Sequence, residues 1–193
     1  MTGENMKATK VTLIIQTVLM YVMHLPLYIA LILLFLDSKD DSINQMIMPL
    51  ILTSLILACV VFPICIINVV FSIISLFKGE YNPSKVTMIV KLALIPWFAL
   101  NFVFCAVVIM GMLNPWLLIA IPFVIIITAS FTYLYMVTTS LPDVAFFIRG
   151  VIRKEIKPCA LTIVSIVFMF VFCFDIIGAL TFYLKVRNIK TLS

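Results

Sequence analysis

Apolar residues in this chain run together rather than alternating with polar ones, in five long stretches separated by short polar breaks. The stretches cover 11–36, 46–67 or on to 77, 86–113, 116–141 and 159–184. A helix crossing a hydrocarbon core about 30 Å thick needs roughly 20 apolar residues, and each stretch supplies them. Inside lipid, backbone groups find partners only within a helix or in a closed barrel. A barrel would show short segments of alternating polarity, which these runs do not. The pattern predicts an all-α, polytopic integral membrane helix bundle. It forms one transmembrane domain over 1–193, with about five transmembrane helices and one or two amphipathic interfacial helices.

Between Pro142 and Pro158, the residues Val144, Phe147, Ile148, Val151 and Ile152 line one helical face, while Arg149, Arg153 and Lys157 recur on another. That spacing predicts an interfacial helix over 142–157, apolar side down and basic side to anionic headgroups. Arg149, Arg153 and Lys157 are the expected contacts with anionic lipid of the cytoplasmic leaflet. The other reading is a fourth span that simply continues past the membrane. Asn68, Ser72 and Ser75 give 68–78 a similar polar stripe. That segment is either a second interfacial helix or the end of one long tilted span.

The two segments are also alike in sequence. At an offset of 75, Asn68-Val-Val-Phe-Ser-Ile lies over Asp143-Val-Ala-Phe-Phe-Ile, and Glu80, Pro83 and Thr87 meet Glu155, Pro158 and Thr162. A repeat here would relate the second and third runs to the fourth and fifth about an axis along the membrane normal, as in some transporters.

Composition strengthens the membrane assignment: 65% of residues are apolar and 11% charged, against about half and a quarter in soluble domains. Lys7 and Lys10 precede the first run as in a signal peptide. The run is about 26 residues long, however, and no small-residue cleavage site ends it, so it is expected to remain as a span. The net charge of +5 reads as topology and lipid contact rather than nucleic-acid binding. A cytoplasmic N-terminus puts nine of the thirteen basic residues inside, Lys91 among them. This predicts a plasma-membrane protein with an extracytoplasmic C-terminus, although Lys185, Arg187 and Lys190 then fall on the unfavoured side. The breaks 37–43 and 111–115 are expected as external turns, and Lys78 to Ser84 as an internal one.

Candidate chemistry is sparse. Asp175 lies within the fifth run, where a charged carboxylate costs on the order of 2.5–3.5 kcal/mol. It is expected to face the bundle interior, beside Gly178 and Ala179, which let a neighbouring helix approach. His24, the single histidine, lies midway along the first run, and Asn101 near the middle of the third. Helical rise places Asp175, His24 and Asn101 at similar depth, so a shared polar site is geometrically open. Asp175 is read as having no second acid at membrane depth. The five cysteines lack metal-ligand or disulfide spacing. One histidine excludes the two-histidine zinc motif, and no phosphate loop or nucleophile elbow occurs. No enzyme activity, cofactor or metal is expected.

The segments Asn82-Pro83-Ser84-Lys85-Val86, Val90-Lys91-Leu92-Ala93-Leu94-Ile95-Pro96-Trp97 and Ser140-Leu141-Pro142-Asp143 resemble small multi-span membrane proteins of low-GC Gram-positive bacteria, over the C-terminal two-thirds of the chain. The resemblance implies a bacterial plasma-membrane protein and carries no site. The expected function is a non-enzymatic part of a membrane assembly, as a homo-oligomer or beside a partner membrane protein. The alternatives are a small transporter or channel with an ion or proton site at Asp175, and a membrane-embedded lipid-modifying enzyme. A wet cavity reaching Asp175 would favour transport. A dry, hydrogen-bonded aspartate with a large apolar external groove would favour assembly.

Overall fold

Long apolar runs that must satisfy their own backbone in lipid form helices, and the described residues are helical almost throughout. The computed structural model describes residues 2–36, 41–78, 82–110, 120–171 and 174–187. The expected turns at 37–40, 79–81 and 111–115, with Cys173 and Lys190, lie outside the described residues. Among the described residues there are seven helices and no strand: α1 (Thr2–Leu36), α2 (Asp41–Lys78), α3 (Ser84–Ala93), α4 (Ile95–Met110), α5 (Ala120–Ile152), α6 (Ala160–Phe168) and α7 (Asp175–Val186).

Three stretches are long and apolar enough to cross a membrane: Ala8–Ala30, Gln45–Phe77 and Ile125–Ile152. The bent pair α3 and α4, which meet at 40°, makes a fourth if the two are taken together as one span. The bend has a local cause. Pro96 has no amide hydrogen to give the carbonyl one turn back, and the Leu94 amide is shared between the carbonyls of Val90 (3.1 Å) and Lys91 (3.2 Å). Pro26, Pro49, Pro63 and Pro142 are accommodated inside continuous helices.

One expectation is corrected here, and one open alternative is decided. Residues 142–157 do not form a separate interfacial helix, because α5 continues through Pro142 to Ile152. Likewise α2 runs unbroken to Lys78, and Asn68 and Ser72 face the interior. Asn68 donates to Gln16 of α1, and Gln16 also reaches Cys65 at 3.2 Å and Thr138 at 2.8 Å. These polar stripes are inward-facing seams between helices.

The fifth run is the larger correction. It is no single crossing over 159–184, since α6 and α7 fold back on each other as an antiparallel hairpin. The Ser165 hydroxyl donates to that of Thr181 at 3.0 Å, whereas sixteen residues of straight helix would separate them by about 24 Å. Gly178 makes the close approach possible: a Cβ there would lie 2.6 Å from the Ser165 carbonyl oxygen and 2.8 Å from the Met169 nitrogen. The nine residues of α6 rise only about 14 Å, too short to cross. The hairpin returns the chain to its starting end, where Asn82 donates to the Val186 carbonyl at 3.1 Å. The end of α7 therefore lies beside the turns after α2 and α5, not at the opposite end of the bundle as one crossing would require.

The offset of 75 extends to the backbone. The ends of α3 and α6 correspond, and Met169 repeats the shared amide of Leu94, reaching Ser165 (3.3 Å) and Ile166 (3.2 Å). Asn68 and Asp143, Thr87 and Thr162, and Leu94 and Met169 are buried alike.

Two apolar clusters hold the helices. Leu13, Met20, Val61, Leu94, Trp97 and Tyr135 join α1, α2, α4 and α5. Phe146, Ile156, Met169 and Phe182 lock the end of α5 onto the hairpin. Ile156 folds back over Gly150, where a Cβ would stand 2.4 Å from its terminal methyl. Lys154 makes that reversal with φ 60, the left-handed geometry that closes many helix ends.

Candidate charged site at the helix breaks

Helix α3 begins at Ser84 and buries Ser84, Thr87, Val90 and Lys91. Thr87 and Lys91 are one turn apart on the same face. Lys91 sits in the last turn of α3, where exposed carbonyls favour a cation. Asp175 is the first residue of α7, where free amides favour an anion. The two broken elements thus present opposite charges to each other, and Lys91 and Asp175 form a salt bridge. Ser140 of α5 accepts a hydrogen bond from Lys91 Nζ at 2.7 Å. Its hydroxyl also lies 3.2 Å from the Met169 carbonyl oxygen at the hairpin tip and 3.4 Å from Asp175 Oδ1. Ser140 thus ties the carbonyl at the helix break to the charged pair.

One turn along α5, Asp143 joins the cluster. Its exposure is 0%. Neither carboxylate oxygen has a partner in close hydrogen-bond geometry, and the Thr87 hydroxyl is the neutral side-chain group that acts on it. Lys91 is within electrostatic reach of Asp143. The expectation that Asp175 stands without a second acid is therefore corrected, and Lys91 belongs to this interior site rather than to a cytoplasmic turn.

His24 and Asn101 occupy another neighbourhood. His24 Nδ1 donates to the Met20 carbonyl at 2.9 Å, and its ring meets Trp97 edge-on with centroids 5.1 Å apart. Asn101 accepts from Tyr28 at 2.9 Å and donates to Thr132 at 3.2 Å. Tyr28 also packs on His24, which links these two. Asp175 is not with them: Asn101 lies ten residues beyond its partner Lys91, about 15 Å of helix.

A family model described as a family of unknown function, DUF6652, matches residues 10–188. The chain belongs to DUF6652. No curated protein and no solved structure matches it. The site of this DUF6652 member therefore has to be read from its own chemistry. Among the described residues, no group of three or more His, Cys, Asp or Glu side chains is placed to hold a metal ion.

Arg149 is not a free lipid contact. It is buried, donates to the Ser75 carbonyl at 2.8 Å and stacks over Phe146 at 5.4 Å. Arg153 and Lys157 are exposed. What the sequence reading passed over is a buried polar seam along α5: Thr128, Thr132, Tyr135, Thr138, Thr139, Ser140 and Asp143. Their spacing of three and four residues within an apolar run was the available signal, and it pointed to Asp143.

Proposed function

We propose that the chain is a non-enzymatic, multi-pass component of a bacterial plasma-membrane assembly, with both termini cytoplasmic. The observation that carries this reading is the outer face of α5. Ala129, Ser130, Tyr133, Leu134 and Val137 line a shallow groove of about 600 Å³. Two small residues there permit close helix approach. The exposed Ser130 and Tyr133 bring hydroxyls to a lipid-facing surface, where another transmembrane helix gives them hydrogen-bond partners. The occupant of the groove is a transmembrane helix of a second subunit. The interior is in keeping with the same reading: Lys91 and Asp175 are 0% and 2% exposed and paired with each other. The second and third readings, transport and lipid modification, have no comparable support.

The test places a photo-crosslinking residue at Val137 in native membranes. A discrete protein adduct is expected, and its mass separates a second copy from a different subunit. Ala129→Trp should abolish it by filling the groove. Adducts with lipid alone would defeat the proposal.

A further inference from the structure

Among the described residues the charged cluster does not balance. On α3 it contains one cation, Lys91, already paired with Asp175 of α7. On α5 it contains a second acid, Asp143, at 0% exposure and faced by the neutral Thr87 hydroxyl, with no salt bridge of its own among the described residues. The other neighbours do not repair this. From α2, the buried Asn68 and Ser72 are neutral, and α6 brings the neutral Thr162 and Ser165. Arg149, two turns further along α5, is held by Ser75 and Phe146. Lys85 on α3 is exposed. With every group ionised, the cluster would hold one uncompensated negative charge out of water, an arrangement proteins avoid by neutralising the group.

We propose that Asp143 and Asp175 form a binding site for one exchangeable proton, with Lys91 as the movable counter-ion. In this structure the ammonium serves Asp175 and the proton resides on Asp143. Lys91 is bonded to Ser140, one turn of α5 from Asp143, and interacts electrostatically with both acids, so a rotation of its flexible side chain can exchange its partner. The proton then leaves the carboxylate that the ammonium approaches, and the carboxylate left behind takes it up. The total charge of the cluster stays at zero throughout. Because Lys91 sits just before the bend at Leu94 and Asp175 just after the hairpin tip, each arrangement pulls on a different helix break.

The inference does not depend on the groove of α5, and infrared spectroscopy tests it on the full chain in lipid bilayers at neutral pH. The wild type should show one protonated-carboxyl stretching band that shifts in heavy water. The band should vanish in Asp143→Asn and in Asp175→Asn, since either leaves one acid for one ammonium. It should double in Lys91→Met. The wild-type band and its isotope shift need no variant, so a substitution that fails to fold leaves the test standing. Absence of the band in the wild type would overturn the proposal, as would a band that survives both aspartate substitutions. Loss of the band on adding sodium or potassium chloride at fixed pH would also overturn it, because a metal cation would then balance the charge.

Discussion

Lys91 has one ammonium group and interacts with two acids, and this inequality decides how the site should respond to substitution. Lys91→Met strips the cation from a buried pair, a loss of about 3–5 kcal/mol. Asp175→Asn should cost far less, because Asp143 remains to receive the ammonium. Unfolding in mixed detergent micelles measures the difference, and equal losses would contradict shared pairing. Neither Lys91 nor Asp143 was picked out in the sequence, although the polar spacing along α5 pointed to the second. Lys91 looked like the end of a basic turn, but α3 starts at Ser84, which carries Lys91 about 10 Å into the helix. Asp143 sits beside Pro142 and looked like a loop residue, yet α5 passes through that proline. Asp175 itself was recognisable, since an acid inside an apolar run is rare enough to mark itself.

At the scale of elements, the apolar runs announced helices but not how each would lie. Their breaks depend on backbone geometry at Leu94 and Met169, where one amide is shared between two carbonyls. Hydropathy does not register such a change. Gly178 was read as permitting a neighbouring helix, and the neighbour is α6 of the same hairpin. Two experiments check this in a background with the native cysteines replaced. Ser165→Cys with Thr181→Cys should crosslink rapidly, whereas a straight crossing would hold the two apart. Gly178→Leu should suppress the crosslink, because the added side chain meets backbone atoms rather than yielding side chains. The correspondence at offset 75 also has a chemical asymmetry: Asn68 stands where its counterpart is Asp143. The neutral member donates its amide to Gln16, and the acidic one interacts with Lys91.

The hairpin changes the disposition of charge over the whole molecule. One crossing would have carried Lys185 and Arg187 away from the other basic residues. The fold brings α7 back beside Asn82, so they join Lys85, Arg153 and Lys157 at one end, as the distribution of positive charge on membrane proteins favours. Cysteines introduced at Lys85 and Arg187 should therefore react with an impermeant thiol reagent from the same side of sealed vesicles. Labelling from opposite sides would refute the hairpin as the membrane-embedded form.

Sequence alone determined that helices are the elements, that several of them are apolar enough to cross a membrane, and that Asp175 has to be buried. These follow from segment-by-segment transfer free energies, which are local sums over neighbouring residues. Tertiary structure decided which run crosses and which folds back, and which charges meet. Lys91 finds Ser140 across 49 positions and Asp175 across 84. Contacts at such separations depend on how helices dock, which no local sum contains.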